Sequence, residues 1–286
     1  MLGILILILT FLKYIYSSKF LRTLDNIGFT SRLQPKGFSV PTHLILGSNS
    51  IEHGINLLEE LSPDVLLVYG WNAARLDRLI WELEPRNFNM QFQSISNEPT
   101  MEDILKILTS IKDYKIRSVI AVGCGKIMDA TKLALSLYKS KDESILNAKD
   151  LNTKDLNLQS LINDFSSLPN DILLCTIPLL PCAGAELSSI SSFYQTSQIQ
   201  NTPSFKNIKY LKTKPPDLCI VHPETIYRST LTELNTRVIG LIATCIELVL
   251  IDNTSYIVEL LAWDSLRNLM HIFDLSVEVQ LFLNNV

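Results

Sequence analysis

VIAVGCGKIMDATK, residues 119–132, indicates the fold class more clearly than the segments around it. Its first four residues are apolar and favour a strand, and a glycine-containing turn, Gly123–Gly125, follows at once. Apolar residues then recur at helical spacing, beginning with Ile127 and Ala130. This pattern predicts a buried strand, a tight turn and a helix that begins near Lys126.

Such a turn is a candidate anion site. Glycine lets a phosphate approach the backbone, while N–H groups and the dipole at a helix N-terminus attract negative charge. We therefore predict that Gly123, Cys124, Gly125 and Lys126 contact the pyrophosphate of a nucleotide. A two-glycine pattern is short, so a plain strand-to-helix turn without a ligand stays open as the alternative.

On both sides of this turn, short apolar strands alternate with amphipathic helices, which is typical of a parallel sheet with crossover helices. We predict strands at 43–46, 65–69, 90–95, 118–122, 172–177 and 218–221, and helices at 51–61 and 72–84. Thr100 and Asp103 predict the capped start of a further helix, and residues 139–170 predict a polar surface insertion. After Thr230 only helical spacing remains, which predicts helices over 232–250 and 254–270.

The N-terminal run MLGILILILTFL, residues 1–12, needs a separate interpretation. It is short for a membrane span, which needs about 20 apolar residues, and Lys13 interrupts it. It also lacks the basic start and the small-residue cleavage site of a signal peptide. We interpret it as an apolar extension or a buried first segment, with membrane contact through residues 1–12 as the alternative.

Charge and cysteine usage exclude other classes of protein. A formal net charge of -4 argues against a nucleic-acid partner, because binding phosphates requires a basic face. The five cysteines are an odd number at irregular spacings, so they predict neither a disulfide framework nor a zinc cluster. This usage fits a reducing compartment, and we expect a cytoplasmic protein.

Four blocks in order resemble the iron-containing alcohol dehydrogenase superfamily, which also includes glycerol dehydrogenase and 3-dehydroquinate synthase. Residues 119–132 resemble the family motif G-G-G-S-x-x-D-x-x-K, and IPLLPCAGAE, residues 177–186, resembles I-P-T-T-A-G-T-G-S-E. PDLCIVHPET, residues 216–225, resembles a strand that ends in Asp-Pro-Glu, with His222 in place of the Asp. TRVIGLIATCIE, residues 236–247, resembles the helix T-G-L-D-A-L-T-H-A-I-E.

The resemblance implies the architecture of the chain. We expect an α/β fold with an N-terminal parallel-sheet nucleotide-binding domain followed by a truncated all-α domain. The expected boundaries are an apolar N-terminal extension over 1–37, an α/β dinucleotide-binding-like domain over 38–228, and a helical segment over 229–286 that resembles the family's metal-binding domain.

The resemblance also implies NAD or NADP as cofactor, although residue types differ at several of its positions. Cys124 stands where the family has its middle glycine, and Lys126 where it has serine. Leu179 and Leu180 stand in place of two threonines that face the cofactor. Two hydroxyl donors are therefore missing. The cofactor is expected to bind weakly.

Four more residues correspond to positions of the family's cofactor site. One of them lacks the family's residue type, one matches a common family residue, and two are retained from the family motif. The Asp that would face the ribose hydroxyls corresponds to Gly70, while Lys206 lies where many members carry a cofactor-contacting lysine. Asp129 and Lys132 are retained from the family motif. A role for Asp129 and Lys132 at the nucleotide and a simple i,i+3 pair on the helix surface are both compatible with the spacing.

The metal site of the family is not expected here. The family holds iron or zinc with an Asp and a His four residues apart on one helix, plus two later His. Alignment on Glu247 puts Gly240 and Thr244 at the two helix positions, and neither residue type is a good ligand. The later histidines would fall beyond Val286, and His271 has no partner ligand near it in sequence.

Two hypotheses about function follow. The resemblance implies an NAD(P)-dependent oxidoreductase that acts on a small alcohol or aldehyde, with a homodimer as the candidate assembly. The changes at the cofactor and metal positions instead favour a non-catalytic relative with a binding or interaction role. In the family the metal polarises the substrate oxygen, and the sequence offers no substitute electrophile.

Overall fold

The computed structural model describes residues 40–59, 63–70, 76–86, 88–95, 100–139, 172–197, 205–227, 230–251 and 254–284. The predictions for residues 1–37 lie outside the described residues, as do those for the insertion at 139–170 apart from Lys139, which ends a helix. The chain forms two compact units, one that consists of Val40–Arg237 and one that includes Val238–Val286.

The elements follow one another as strands and helices in alternation. The strands are β1 (His43–Leu46), β2 (Asp64–Tyr69), β3 (Asn89–Ser94), β4 (Ser118–Gly123), β5 (Leu173–Pro178), β6 (Ile190–Ser197), β7 (Phe205–Lys212) and β8 (Leu218–Val221). The helices are α1 (Ser50–Glu59), α2 (Asp77–Leu83), α3 (Met101–Asp113), α4 (Gly125–Lys139), α5 (Pro223–Tyr227), α6 (Leu231–Leu250) and α7 (Tyr256–Asn284). Each predicted strand is confirmed to within one residue at either end.

Six strands form one sheet in the order β1-β8-β5-β4-β2-β3, and every neighbouring pair is parallel. This arrangement confirms the predicted α/β class. The chain moves across the sheet in one direction from β1 to β3, and in the other direction from β3 through β4 and β5 to β8. Because such crossovers are right-handed, the helices of the two runs are expected on opposite faces.

The buried apolar residues form two hydrophobic cores, one on each face of the sheet. The first core joins α1 and α2 to one face of the sheet and contains Ile51, Ile55, Leu58, Leu79, Leu83, Val65, Leu67, Ile120 and Ile177. The second joins α3 and α4 to the other face and contains Ile104, Ile107, Ile111, Met128, Leu133, Leu137, Leu66, Val119 and Leu174. All six residues of β4 are buried, as expected for a central strand covered on both faces.

The predicted start of α3 is confirmed in detail. The Thr100 hydroxyl accepts a hydrogen bond from the Asp103 amide, and the Asp103 carboxylate accepts one from the Thr100 amide. This reciprocal capping box satisfies N–H groups that have no partner within the helix. Asp103 is buried, so the cap also lies at the edge of the core.

The strands β6 and β7, which were not predicted from the sequence, form an antiparallel hairpin in which Ser192 pairs with Tyr210. Neither strand, ISSFYQTS or FKNIKYLK, has the continuous apolar run by which the other strands were recognised. A two-stranded ribbon outside the main sheet does not need such a run, because it is not covered by helices on both faces. The short helix α5 was also missed.

The helical end of the chain consists of α6 and α7. The second helix continues to Asn284 rather than ending at Met270 as predicted. Residues 271–284 contain neither glycine nor proline, so the sequence offers no residue that ends a helix there. Among the described helices, none combines the length and apolar character needed to cross a bilayer.

Candidate functional site

The turn between β4 and α4 has the predicted conformation. β4 ends at Gly123, whose φ of +148° lies in the region that favours glycine, and α4 begins at Gly125. A Cβ at Gly123 would lie 3.0 Å from Ile127 Cγ1, so a side chain there would crowd the first turn of the helix. The Cys124 carbonyl accepts hydrogen bonds from the Ile127 and Met128 amides at 3.0 and 3.4 Å, which closes that first turn.

This turn lies where the sheet topology creates a crevice. β4 and β2 are neighbours, but the helices that follow them, α4 and α2, pack on opposite faces of the sheet. Ligands of open α/β sheets bind at such a point, outside the carboxyl ends of the strands. Gly70 follows β2 there, and a Cβ on it would lie 3.4 Å from Ile127 Cδ1. The structure thus brings Gly70 and Gly123 together across Ile127.

A second turn, which follows β5, lies against the first. The Leu179 amide donates to the Gly123 carbonyl at 3.0 Å, and the Cys182 thiol donates to the Leu180 carbonyl at 2.8 Å. A Cβ on Gly125 would lie 3.0 Å from Ala185 Cβ. The two turns are therefore in direct contact, and a glycine at position 125 is what permits the close approach.

The side chains at Leu179 and Leu180 do not replace the missing hydroxyl donors. Leu179 is buried in the core on the side of α1 and α2, and Leu180 is half-buried. Both are hydrocarbons, so their contribution to a polar ligand is limited to backbone groups and contact area. The Gly70 position likewise offers no carboxylate.

Asp129 and Lys132 are buried, which makes the interpretation as a surface pair wrong. The Lys132 side chain is fully buried, and its Nζ lies 2.9 Å from Asp129 Oδ1. The same Nζ donates to the carbonyls of Ala185, Ser188 and Ile190 at 3.1, 3.2 and 2.8 Å. These three carbonyls use the three hydrogens of the ammonium group. The pair connects α4 to the segment that runs from the second turn into the hairpin.

Asp129 also binds the hairpin directly. Its Oδ2 accepts hydrogen bonds from the amide and the hydroxyl of Ser192, at 2.9 and 2.8 Å. Sequence reasoning missed Ser192, because no local pattern marks a serine in a strand as the partner of a carboxylate 63 residues earlier. The Asp129 carboxylate is thus engaged by protein groups on both oxygens.

Burial determines the electrostatics of the second turn. It raises the pKa of the Glu186 carboxyl, and it raises the pKa of the Cys182 thiol well above its ordinary value. Because a thiolate is the reactive form of cysteine, we expect Cys182 to react slowly while the protein stays folded. The Glu186 carbonyl accepts a hydrogen bond from the Thr176 hydroxyl at 2.9 Å, which ties the turn to β5.

The remaining predicted residues differ in how far they reach the site. Cys124 and Lys126 are half-buried in the turn itself. Lys206 belongs to β7, where its backbone pairs with Thr196. It lies four register positions from the pair of Ser192 and Tyr210, about 13 Å along the hairpin at the usual rise per residue. A contact between Lys206 and the nucleotide stays a prediction.

The two helix positions at which the family binds its metal do not fit a metal ion. Gly240 is exposed on α6 and has no side chain. The Thr244 hydroxyl donates to the Gly240 carbonyl at 3.0 Å, so it is engaged within the helix. Across the parts of the chain that the structure describes, no three His, Cys, Asp or Glu residues are grouped as metal ligands would be.

His222, which stands in place of the family's Asp at the end of β8, is buried. Its Nδ1 lies 3.3 Å from the Ser50 hydroxyl, which also donates to the Val221 carbonyl at 3.1 Å. This contact joins the start of α1 to the end of β8. The Thr225 hydroxyl, at the start of α5, contacts the Pro178 carbonyl and so ties the end of β5 to the same edge.

Comparison with known proteins agrees with this geometry. Residues 41–223 match the iron-containing alcohol dehydrogenase family, and the chain belongs to that family. Its members are oxidoreductases of the alcohol dehydrogenase class. The match covers the strands of the sheet, both turns and the hairpin.

Three individual proteins illustrate the likeness. Over 97 residues the chain is 34% identical to a glycerol-1-phosphate dehydrogenase [NAD(P)+] from Pyrococcus furiosus. This aligned segment is 33% of this chain and 28% of that protein. A solved iron-containing alcohol dehydrogenase superposes with a TM-score of 0.67 and 17% identity, over 84% of this chain and 63% of the other. An iron-containing alcohol dehydrogenase from Thermotoga maritima gives a TM-score of 0.65 and 18% identity, over 83% and 63%. The chain thus spans less than two thirds of the length of these relatives.

Proposed function

We propose that the Val40–Arg237 unit binds NAD or NADP, with the pyrophosphate at the turn formed by Gly123, Cys124, Gly125 and Lys126. The observation that carries this proposal is the position of the turn. It joins a buried central strand to a helix N-terminus and lies at the point where neighbouring crossovers diverge. The Pyrococcus furiosus relative is named as NAD(P)+-dependent, which supports the same cofactor class.

The proposed binding is weak. Gly70, Leu179 and Leu180 lack the polar side chains that the family offers at those positions. Each missing hydrogen bond costs about 0.5–1.5 kcal/mol of binding free energy. Three of them weaken the affinity by roughly a hundredfold, since about 1.4 kcal/mol corresponds to a factor of ten.

By resemblance, the reaction would be hydride transfer between the nicotinamide and a small alcohol or aldehyde. In the family a metal ion polarises the substrate oxygen. Gly240 and Thr244 do not fit that ion, so we propose that this chain retains the nucleotide site and lacks the metal-assisted activity. The alternative, an oxidoreductase that is still active, requires an electrophile from other residues.

Calorimetric titration with NAD+ and with NADP+ tests the nucleotide site. Wild type is compared with Lys126→Ser, which restores the family residue, and with Lys106→Ser, a control at an exposed lysine on α3. We expect weak binding in wild type, no change in the control and an altered affinity in Lys126→Ser. An absence of binding in all three proteins would refute the proposal.

An activity measurement tests the second half of the proposal. Oxidation of glycerol-1-phosphate and of simple alcohols is followed by NADH absorbance, with and without added ferrous iron or zinc. We expect no turnover in either condition. Metal-dependent turnover that disappears in a variant of helix α6 would show that the ligand assignment from Gly240 and Thr244 is mistaken.

A further inference from the structure

The ammonium group of Lys132 occupies a cage of oxygens. Three backbone carbonyls, those of Ala185, Ser188 and Ile190, and one carboxylate oxygen of Asp129 lie within 3.2 Å of it. Its side chain is completely buried. A lysine is very rarely buried to this degree unless its charge is paired and its hydrogens are bonded. Both conditions are met here.

All three carbonyls belong to one segment, which Asp129 holds at a further point through Ser192. Residues 185–192 are therefore attached to α4 through two side chains three positions apart, those of Lys132 and Asp129. The segment is continuous with the second turn, whose Cys182 and Ala185 lie against Gly125. Fixing the segment fixes the distance between the two turns.

Other contacts hold the far side of the segment. The Thr213 amide donates to the Ser189 carbonyl at 2.6 Å, and the hydroxyls of Ser191 and Thr213 lie 2.9 Å apart. These contacts join β6 to the end of β7 and would persist without the lysine. Loss of the lysine would therefore release the carbonyls of Ala185, Ser188 and Ile190 from α4 while the hairpin stays paired, and the second turn would be held mainly by the bond from the Leu179 amide to the Gly123 carbonyl.

We propose that Lys132, assisted by Asp129, is a positioning residue that holds the second turn against the phosphate turn and so sets the shape of the nucleotide crevice. Its significance for binding rests on the proposed function above. The positioning itself does not, and it can be measured without a nucleotide. Lys132 does not contact the ligand in this proposal. Its ammonium group binds the surrounding oxygens as a free cation would, but it is covalently attached to the helix.

Two cysteines report on the second turn and on the sheet separately. Cys182 is in the turn, whereas Cys175 is in the middle of β5, and both are buried in the native protein. The full chain is treated with a thiol reagent, and the labelled peptides are quantified over time. Local release of the turn exposes Cys182 alone, while global unfolding exposes both thiols.

In Lys132→Met global unfolding becomes more frequent and exposes both thiols, so the informative quantity is the ratio of the two labelling rates; we expect the rate of Cys182 to rise at least about tenfold more than the rate of Cys175, because local release of the turn adds to the exposure of Cys182 alone. In Lys132→Ala, methylammonium chloride should slow the labelling again, because it can occupy the vacated cage. Sodium chloride at the same concentration serves as the control. Unchanged labelling of Cys182 in Lys132→Met would overturn the proposal.

If Lys132→Met exposes both thiols equally, a second variant, Asp129→Asn, decides whether the pair positions the turn. This variant keeps an oxygen acceptor for Ser192, removes the negative charge and places an NH2 group beside the ammonium group, while the three carbonyl bonds of Lys132 remain. Faster labelling of Cys182 than of Cys175 supports positioning. Equal acceleration of both thiols would overturn it, because the pair would then stabilise the whole unit rather than the turn.

Nucleotide titration of the same variants separates this proposal from the proposed function. If wild type binds NAD+ or NADP+, Lys132→Met should bind at least about tenfold more weakly, as expected for a displaced wall of the site. Unchanged affinity with a released turn would refute the effect on the crevice. If wild type binds neither nucleotide, the proposed function fails, and the labelling still decides whether Lys132 positions the turn.

Discussion

Replacing Lys132 with methionine should lower the free energy of unfolding of the α/β unit substantially. The side chains are similar in length, so the main change is loss of the ammonium group. Asp129 then remains buried without its ionic partner, and three carbonyls lose a charged donor. Removing one partner of a buried ion pair typically costs about 3–5 kcal/mol. Because domains have a total stability of about 5–15 kcal/mol, this is a large fraction.

The two hydrogen bonds from Ser192 to Asp129 remain in this variant and stabilise the carboxylate, which argues for the lower half of that range. Adding Asp129→Asn removes the unpaired charge. The double variant should therefore be more stable than the sum of the two single losses predicts. For two residues in contact, a coupling free energy of about 0.5–3 kcal/mol is expected.

Urea unfolding followed by far-ultraviolet circular dichroism measures these differences. The matched control is Lys106→Met on α3, which also removes a lysine from a pair with a carboxylate, Glu102, but at exposed positions. The control should leave the urea midpoint unchanged. A loss below about 1 kcal/mol in Lys132→Met, or additivity within about 0.5 kcal/mol, would refute the assignment of a coupled buried pair.

Four further predictions concern single positions. A Cβ on Gly54 would lie 2.2 Å from Ile220 Cδ1, so Gly54→Ala should destabilise the protein by about 1–3 kcal/mol in urea unfolding. Gly240 is exposed on a helix and has open space around it, so Gly240→Ala should instead raise the free energy of unfolding by roughly 0.5–1 kcal/mol. Thr100→Ala removes the N-cap of α3 and should cost about 1 kcal/mol, with Thr100→Ser as the variant that retains stability. Burial raises the pKa of the Cys219 thiol from 9.0 to about 11, so as the pH rises the thiol loses its proton first in the unfolded chain. The urea concentration at the unfolding midpoint should therefore decrease as the pH is raised from 9 to 11, and it should decrease less in Cys219→Ala.

Local patterns were sufficient for most of the α/β unit. β4 was recognised because a strand covered on both faces must be apolar along its whole length. Thr100 and Asp103 were recognised because a capping box depends on residues only three positions apart. The hairpin of β6 and β7 was missed, since its pairing joins residues that are up to 22 positions apart, such as Ser191 and Thr213, and leaves no apolar run.

The fold class, the places of the sheet strands and the turn at Gly123 could be predicted from local sequence, because each depends on side-chain size and polarity within a short window. The surroundings of Asp129 and Lys132 could not be predicted and are seen only in the folded chain. Their spacing is equally compatible with an exposed pair and a buried one. The choice depends on oxygen and nitrogen atoms 53–63 residues further along the chain, which the right-handed crossover from β4 to β5 brings back against α4. A charge can be buried there only because those atoms surround it.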